Sequence, residues 1–426
     1  NDFEYVETED QIRAVNDIME DLRSGTPMDR VLVGDVGFGK TEVAMRAAYI
    51  MAKLGKQVAV LAPTTVLVEQ HYRVFRNRFE KHGVTVESLS RFLTKEEADH
   101  VVSRLKTKEI DIVIGTHRLL SDDISFKDLG LVIIDEEQKF GVSQKEKLKG
   151  LRVETHVLSM SATPIPRTLN MALSGVRDIS IIATPPEGRI PIENIVDKFN
   201  WDMVADAINK EVSRGGQVYF VHNRVSTLPV ISQKLTELLP GVRIVIGHGQ
   251  MEGSQLSKVM RGFHEGMYDV LLCTTIIENG LDMPNVNTLI VDGAEYYGLS
   301  QLYQIRGRIG RGDNQAYAYF LYGGMVGGRF VKKGMEERVR AAQEGLSDME
   351  EELVKEKSRG VSRLSREMLW SSARSRLDAI KQLQALGSGF ALAQRDLEIR
   401  GAGNFLGREQ HGNVSAIGFS LYCRLL

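Results

Sequence analysis

The stretch GDVGFGKT at residues 34–41 has the residue types and spacing of a phosphate-binding loop, G-x-x-x-x-G-K-[ST]. Its glycines, among them Gly37 and Gly39, let backbone N–H groups turn inward around phosphate oxygens, and the N-terminus of a following helix adds positive potential. Lys40 is placed to reach the β- and γ-phosphates of ATP, and the hydroxyl of Thr41 to bind Mg²⁺. The stretch therefore predicts a site for ATP and Mg²⁺.

A carboxylate pair, Asp135 and Glu136, follows the aliphatic run at residues 129–134, which has the composition of a buried strand. Acidic residues after a strand are common, but downstream of a phosphate loop the pair completes a site for nucleotide hydrolysis. We expect Asp135 to bind Mg²⁺, through water, and Glu136 to orient and deprotonate the attacking water.

The stretch QIRGRIGR at residues 304–311 places three arginines on a turn punctuated by glycine. Guanidinium groups such as those of Arg308 and Arg311, aimed across a cleft at a γ-phosphate, stabilise transition-state charge as arginine fingers do. The alternative is a solvated basic loop. Gly307 and Gly310 argue against it, because an ordinary exposed helix does not carry them.

Other polar residues are candidates for contacts with a nucleotide or a nucleic acid. Gln11 opens a helical pattern upstream of the phosphate loop, where its amide could read an adenine edge, the alternative being a surface glutamine. Two further strand-like runs, at residues 57–62 and 110–114, end in hydroxyl and imidazole side chains that suit a sugar–phosphate backbone. These side chains are Thr64, Thr65, Thr116 and His117. Ordinary turn and cap chemistry is the alternative for each threonine.

Strand-like and helical patterns alternate along the chain, which predicts parallel sheets with right-handed crossovers and thus the α/β class. Ligand groups then gather at the carboxyl ends of the strands. Prolines and a glycine at residues 183–189 indicate a domain boundary. A second alternation follows, without a second phosphate loop, and its predicted strands are 217–222, 243–246, 270–274, 288–291 and 316–321.

Length and composition limit the classes of protein. At 426 residues we expect at least two domains, and 42% hydrophobic with 26% charged residues is ordinary for a soluble protein. The net charge of −2 means that any nucleic-acid surface is a local patch. Two cysteines, Cys273 and Cys423, give neither a disulfide framework nor a metal site and indicate a reducing, cytoplasmic compartment. We expect no membrane span and no signal peptide, and the missing initiator Met suggests an excerpt of a longer protein.

The order of the phosphate loop, DEEQ, SAT and QIRGRIGR resembles the motor of superfamily 2 helicases and translocases. Two families of that class compete, the bacterial transcription-repair coupling factors and the branch-migrating RecG helicases. The wording GDVGFGKTEVAMRAA, PIPRTLNMALSGVRDISIIATPP and CTTIIENGLDMPNVNT is more similar to the coupling factors. The resemblance covers nearly the whole chain.

This resemblance implies two tandem RecA-like lobes with ATP in the cleft between them, and double-stranded DNA across both lobes. It implies translocation without strand separation. Thr163 of the SAT motif would link nucleotide state to the second lobe. Within TTIIENGLD at residues 274–282, Thr274 and Thr275 are expected to contact DNA and Asp282 the nucleotide.

Residues 376–410 resemble the translocation motif shared by the two families, a helical hairpin followed by a loop that returns to the cleft. By that match, Arg376, Arg400 and Gln410 couple hydrolysis to movement on DNA. For Arg376 alone, a solvated helix arginine is the alternative.

The expected domains are a first motor lobe at 1–188, a second at 189–322 and the translocation motif at 372–426. Residues 323–371 are expected to be an inserted helical arm packed on the motor or, equally, a mobile linker. RNA polymerase and nucleotide-excision-repair factors would bind through modules absent from this chain. A RecG-type helicase is the alternative function, and a non-catalytic scaffold that docks RNA polymerase is a third, against which Lys40 and the carboxylate pair argue.

Overall fold

The computed structural model describes residues 6–91, 93–162, 177–186, 189–279, 283–310, 312, 314–324 and 363–382, together with residues 387, 389, 392 and 395. Two parallel β-sheets, each flanked by helices, account for most of these residues. We call the part of the chain that contains the first sheet the first lobe, and the part that contains the second sheet the second lobe. The predicted α/β class with two parallel-sheet domains is confirmed.

The first sheet has seven strands in the order β3-β4-β2-β5-β6-β1-β7, and every pairing in it is parallel. Its strands are β1 (Asp29–Gly34), β2 (Gln57–Leu61), β3 (Val86–Leu89), β4 (Ile112–Gly115), β5 (Leu129–Asp135), β6 (His156–Ser161) and β7 (Asp178–Ile182). Its helices are α1 (Glu9–Arg23), α2 (Lys40–Lys53), α3 (Thr65–Phe79), α4 (Lys95–Thr107) and α5 (Val142–Glu154).

Local chemistry explains where the first helices begin. Thr8 caps α1 through a capping box in which its hydroxyl accepts from Gln11 N while the Gln11 side chain accepts from Thr8 N. Helix α2 follows Gly39, whose φ of 78° lies in the left-handed region that glycine adopts at little cost. Strand β2 is buried throughout, as expected for a central parallel strand covered on both faces.

The second sheet has six parallel strands in the order β10-β11-β9-β12-β13-β8. Its strands are β8 (Glu193–Lys198), β9 (Gln217–His222), β10 (Ile244–Gly247), β11 (Val270–Cys273), β12 (Val286–Asp292) and β13 (Tyr317–Tyr322). Its helices are α6 (Trp201–Ser213), α7 (Leu228–Leu238), α8 (Gly253–His264) and α9 (Leu299–Arg306). The five strands predicted for this half are confirmed, and β3, β7 and β8 were not predicted.

A long C-terminal helix, α10 (Arg363–Gln382), packs against the second lobe. Leu377 and Ile380 lie in the core of that lobe, and Asn194 Nδ2 donates a hydrogen bond to Ile380 O at 2.7 Å. The sequence pattern places the start of this helix at Arg376, but the helix begins 13 positions earlier, at Arg363. It therefore continues without a break through Ser371, the expected end of the inserted segment. Residues 325–362, most of the expected arm, lie outside the described residues, as does most of the predicted hairpin beyond α10.

None of the helices in the described ranges is both long and apolar enough to cross a bilayer.

Candidate functional site

The phosphate loop joins β1 to α2 at the carboxyl edge of the first sheet, as predicted. Gly37 and Gly39 both have positive φ, 80° and 78°, so the loop needs glycine at these positions. Lys40 Nζ donates to Gly34 O at 2.5 Å and to Asp35 O at 2.9 Å, which holds the ammonium over the loop. Thr41 follows in the first turn of α2. Backbone N–H groups, an ammonium and a hydroxyl therefore converge at one helix N-terminus, and this set of groups suits phosphate and Mg²⁺.

Gln11 is buried, at 4% exposure, which excludes the surface alternative. Its Nε2 donates to Phe38 O at 3.0 Å, and its Oε1 accepts from Thr8 N. A Cβ at Gly39 would lie 2.4 Å from Gln11 Nε2, so the amide packs directly on the phosphate loop. Both amide atoms are thus engaged within the protein. Contact of Gln11 with an adenine edge stays a prediction. It requires that the amide give up its hydrogen bond to Phe38 O or to Thr8 N and form one with the base instead.

The carboxylate pair lies where it was predicted, at the end of β5. Asp135 Oδ2 is 3.0 Å from His71 Nε2 on α3. Glu136 has φ 49° and ψ 53°, a left-handed conformation that costs a non-glycine residue free energy and occurs preferentially at functional sites. Its carboxylate accepts a hydrogen bond from Gln138 Nε2. Asp135 and Glu136 therefore have different surroundings.

The surroundings shift the two carboxyl pKa values in opposite directions. Burial disfavours the charged form of Asp135, but His71 and the charges of Lys40 and Arg308 hold the pKa of that carboxyl below its usual value. Burial and the charge of Asp135 raise the pKa of Glu136. This separation of the two pKa values suits the predicted roles, in which Asp135 binds a cation and Glu136 accepts a proton.

Burial also lowers the pKa of the Lys40 ammonium to about 8, against the charges of Glu136, Asp135 and Asp35. Bound phosphates would add negative charge next to the ammonium and favour its protonated form.

Arg308 of the second lobe lies near these groups of the first lobe. Its side chain is buried, and its charge affects the pKa values of Lys40, Asp135 and Glu136. A Cβ at Gly307 would lie 3.0 Å from Val36 of the phosphate loop, so the turn after α9 packs against that loop. Arg306 has a different role, because its Nε donates to Asn194 Oδ1 at 2.9 Å within the second lobe. Arg311 lies outside the described residues.

Several contacts at the site were missed by the sequence analysis. Arg189, at the junction of the lobes, donates to Val36 O and lies 5.5 Å from the centroid of the Phe38 ring. A Cβ at Gly37 would be only 2.7 Å from Arg189 Nη1. The remaining missed residues are Asp35, Tyr303 and His71. Of these three residues, only His71 could have been found from the sequence. It is a polar residue on the apolar face of a helix that buries Leu67, Val68 and Phe75.

The third carboxylate of DEEQ, Glu137, belongs to a structural network. Its Oε2 accepts from Ser159 Oγ at 2.8 Å and from Arg177 Nη1 at 3.1 Å. Arg177 Nη2 also lies 2.7 Å from Asp29 Oδ1. Glu137 and Arg177 therefore link the loop after β5 to β6 and to the start of β1.

The residues predicted to contact DNA in the first lobe come together. Strands β2 and β4 are neighbours, so the positions that follow them lie at the same edge. Thr64 Oγ1 caps α3 by accepting from Leu67 N, and Thr116 Oγ1 caps the short 3₁₀ helix His117–Leu120 by accepting from Arg118 N. Two helix N-termini thus open on one edge, and His117 is exposed there.

In the second lobe, Thr274 and Thr275 follow β11 and are partly exposed. Arg376 on α10 donates from Nη2 to Glu295 O at 2.9 Å, a contact with the lobe itself. The predicted residues Thr163, Asp282, Arg400 and Gln410 lie outside the described residues.

Comparison with known proteins follows the same division into two lobes. The model of the family "DEAD/DEAH box helicase" matches residues 8–172, and that of the "Helicase conserved C-terminal domain" matches residues 200–313. A solved structure of RecG bound to a three-way DNA junction is 32% identical, has a TM-score of 0.65, and covers 93% of this chain and 50% of that one. The helicase Lhr of Mycobacterium smegmatis, bound to single-stranded DNA and AMP-PNP, is 19% identical with a TM-score of 0.58 over 76% of this chain and 46% of that one, which shows the fold alone.

Curated relatives match over the full length of this chain. The transcription-repair-coupling factor of Bacillus subtilis (strain 168) is 48% identical over 424 residues, which is 100% of this chain and 32% of that protein. The transcription-repair-coupling factor of Escherichia coli (strain K12) is 46% identical over 424 residues, or 100% of this chain and 33% of the relative. The chain thus spans about a third of the length of these relatives. By its two helicase domains and this full-length similarity, the chain belongs to helicase superfamily 2 and, within it, to the sequence family of the transcription-repair coupling factors.

Proposed function

We propose that this chain is an ATP-dependent double-stranded-DNA translocase, the motor of a transcription-repair coupling factor that pushes on stalled RNA polymerase. RNA polymerase and nucleotide-excision-repair factors are proposed as partners from the name of the relatives, of which this chain aligns with about a third. The buried free Cys273 suits a reducing compartment, and we propose a cytoplasmic location.

The observation that carries the proposal is the position of Arg308. This arginine comes from the second lobe, yet its charge acts on Lys40 and on both carboxylates of the first lobe. A hydrolytic site completed by an arginine across a cleft is active only when the lobes are closed. Hydrolysis and release would then alternate closed and open states, which is the movement that a translocase needs.

Each residue has a distinct chemical role in this scheme. Mg²⁺, held by Thr41 and Asp135, would neutralise charge on the phosphate oxygens. Lys40 binds the β- and γ-phosphates, and Glu136, with its raised pKa, takes the proton of the attacking water. Arg308 and Arg311, three positions further along the chain, stabilise the charge that develops on the transferred phosphoryl group.

The proposed DNA grip is directed at the sugar–phosphate backbone. Thr64 and Thr116 cap helices at one edge of the first sheet, and a helix N-terminus with free N–H groups binds phosphate without reading sequence. Because the net charge is −2, binding should depend on a local patch and be sensitive to salt. No aromatic-rich basic stretch in the sequence offers a platform for single-stranded bases, which favours duplex DNA.

A triplex-displacement assay tests the proposal. The chain should hydrolyse ATP faster with duplex DNA, displace a triplex-forming third strand, and leave a plain forked duplex paired. Lys40→Ala, which cannot bind the phosphates, is the control that measures third-strand displacement in the absence of ATP hydrolysis. Arg400→Ala should retain much of the ATPase activity and lose displacement. Wild-type displacement by Arg400→Ala would contradict the proposed coupling.

A RecG-type branch-migrating helicase is the second candidate, because the RecG structure matches 93% of this chain at 32% identity. Efficient unwinding of the forked duplex, or of a three-way junction, by the same preparation would favour this candidate. Absence of ATP hydrolysis with every DNA tested would leave only a scaffold role.

A further inference from the structure

Helix α3 connects the proposed DNA edge to the interior of the nucleotide site. It begins after Thr64, at the strand-end edge, and its buried face includes Leu67, Val68, His71 and Phe75. His71 lies seven residues beyond Thr64, which corresponds to about 10 Å along the helix axis. A shift of the helix N-terminus would therefore be transmitted to His71 through rigid backbone.

His71 contacts the carboxylate that the nucleotide site needs for Mg²⁺. Its Nε2 lies 3.0 Å from Asp135 Oδ2, and the two side chains are 10% and 14% exposed. The His71 ring packs edge-on against Phe75, with the centroids 6.3 Å apart, which fixes the plane of the imidazole. The contact is thus a buried and directional hydrogen bond between α3 and the end of β5.

This hydrogen bond constrains Asp135 in two ways. A carboxylate that binds a cation can only accept a hydrogen bond, so His71 Nε2 would be the donor to Asp135 Oδ2 in the metal-bound site. With Oδ2 engaged by His71, Oδ1 remains for a cation. Of the other groups that act on Asp135, Lys40 lies on the phosphate loop and Arg308 in the second lobe, so His71 is the contact that comes from α3.

We propose that His71 is a positioning residue that holds Asp135 in its metal-binding orientation and couples that orientation to backbone contacts at the N-terminus of α3. The coupling rests on the proposed DNA-dependent activity, whereas the positioning of Asp135 does not require DNA. An ordinary core histidine bonded to the nearest carboxylate would affect stability alone. Substitution of a positioning histidine should change the Mg²⁺ dependence of nucleotide binding, whereas substitution of a core histidine should change only the stability of the fold.

Variants of His71 separate these roles. His71→Leu removes the hydrogen bond, and His71→Gln places an amide N–H near the position of Nε2. Phe79→Leu is the matched control, since it loosens the same buried face of α3 two turns later, where the Phe79 ring packs against Tyr49 and Phe75. Thermal unfolding establishes that each variant is folded. If His71→Leu does not fold, His71→Asn, whose shorter amide does not reach Asp135, replaces it.

The first readout is binding of a fluorescent ATP analogue as a function of Mg²⁺ concentration, without turnover and without DNA. His71→Leu should raise the Mg²⁺ concentration for half-maximal binding by about 10-fold or more, as loss of a residue behind a metal ligand commonly does. His71→Gln should restore most of the wild-type value, and Phe79→Leu should keep it. The second readout is the ratio of ATPase rates with and without duplex DNA, which His71→Leu should reduce and His71→Gln should recover.

Three results would overturn the proposal: an unchanged Mg²⁺ dependence in His71→Leu, a folded His71→Gln that behaves like His71→Leu, or the same shift in Phe79→Leu. If the ATPase rate of the wild-type chain is the same with and without duplex DNA, the proposed function is refuted instead. The Mg²⁺ titration would still decide whether His71 positions Asp135.

Discussion

The hydroxyl of Tyr303 in the second lobe donates a hydrogen bond to Asp35 Oδ2 in the phosphate loop, at 2.5 Å. The same carboxylate oxygen accepts from Gly387 N, beyond α10, at 3.0 Å. A Cβ at Gly389 would lie 2.3 Å from Asp35 Oδ1, so this segment packs closely on the carboxylate. One side chain of the phosphate loop therefore joins the first lobe, the second lobe and the segment that follows α10.

Tyr303→Phe should weaken closure of the cleft. A hydrogen bond to a charged group contributes about 1.5–3 kcal/mol, which corresponds to about 10- to 100-fold in an equilibrium. We expect ATP turnover to fall within that range while nucleotide affinity, which depends on the first lobe, stays near the wild-type value. Steady-state ATPase assays and nucleotide-binding titrations measure the two quantities.

Tyr297→Phe is the matched control for this prediction. This substitution removes a buried hydroxyl from the same lobe. Among the described residues, the structure shows no hydrogen-bond partner for that hydroxyl. Equal losses of turnover in the two variants would mean that the Tyr303 hydroxyl has no specific role in closure.

The two carboxylates after β5 should respond differently to neutral replacement. Glu136→Gln removes the proton acceptor, so turnover should fall by about 10²- to 10⁴-fold while ATP remains bound. Lys40→Ala should instead lose nucleotide binding. Rapid-quench assays and nucleotide-retention measurements distinguish these outcomes.

Glu137→Gln serves as the control for Glu136→Gln. Because Glu137 bonds to Ser159 and Arg177, its replacement should lower the melting temperature and leave most of the turnover. Loss of hydrolysis in Glu137→Gln with normal hydrolysis in Glu136→Gln would show that the proton acceptor has been assigned to the wrong residue.

Arg308→Ala should retain ATP binding and lose turnover by about 10³-fold, because its charge acts across the cleft on the transferred group. Arg306→Ala should behave differently, since the buried Arg306 bonds to Asn194 and Ile192 O within the second lobe. It should mainly lower the free energy of unfolding, measured by denaturant titration. If Arg308→Ala lowers stability as much as Arg306→Ala and spares turnover, Arg308 is structural.

How much of the fold could be predicted depended on the position of each strand in its sheet. Interior strands such as β2 and β12 are buried throughout and read as apolar runs. The three missed strands, β3, β7 and β8, all lie at sheet edges. Their exposed or half-exposed residues interrupt the apolar pattern, as in Glu193–Lys198, so a run-based prediction does not detect them.

The candidate site divides in a similar way. Lys40 and Asp135 were found because their chemistry follows from local sequence and from the rule that strand ends share an edge. The contacts of Tyr303 with Asp35 and of His71 with Asp135 join residues 268 and 64 positions apart. They depend on how the lobes and helices pack, which periodicity does not encode.

The stability of the protein should depend on pH through His156. Its Nδ1 accepts a hydrogen bond from Met28 N at 3.0 Å, so the bond needs the neutral imidazole. Burial lowers the pKa of His156 below the usual 6.5, although the charge of Asp21 opposes the shift. As the pH falls below about 6.5, the unfolded chain takes up a proton that the folded chain does not. The free energy of unfolding should therefore decrease from pH 7.5 towards pH 5, and this contribution should be fully present only above about 6.5.

His156→Asn isolates this contribution, because its side-chain oxygen can accept from Met28 N and does not titrate in this range. Denaturant unfolding of both proteins at several pH values gives the difference in free energy of unfolding, in which groups common to both cancel. The wild-type protein should lose stability relative to His156→Asn as the pH falls, because only the wild-type imidazole must be protonated against burial. A difference that stays constant from pH 7.5 to pH 5 would mean that His156 keeps the same pKa in the folded and unfolded chain.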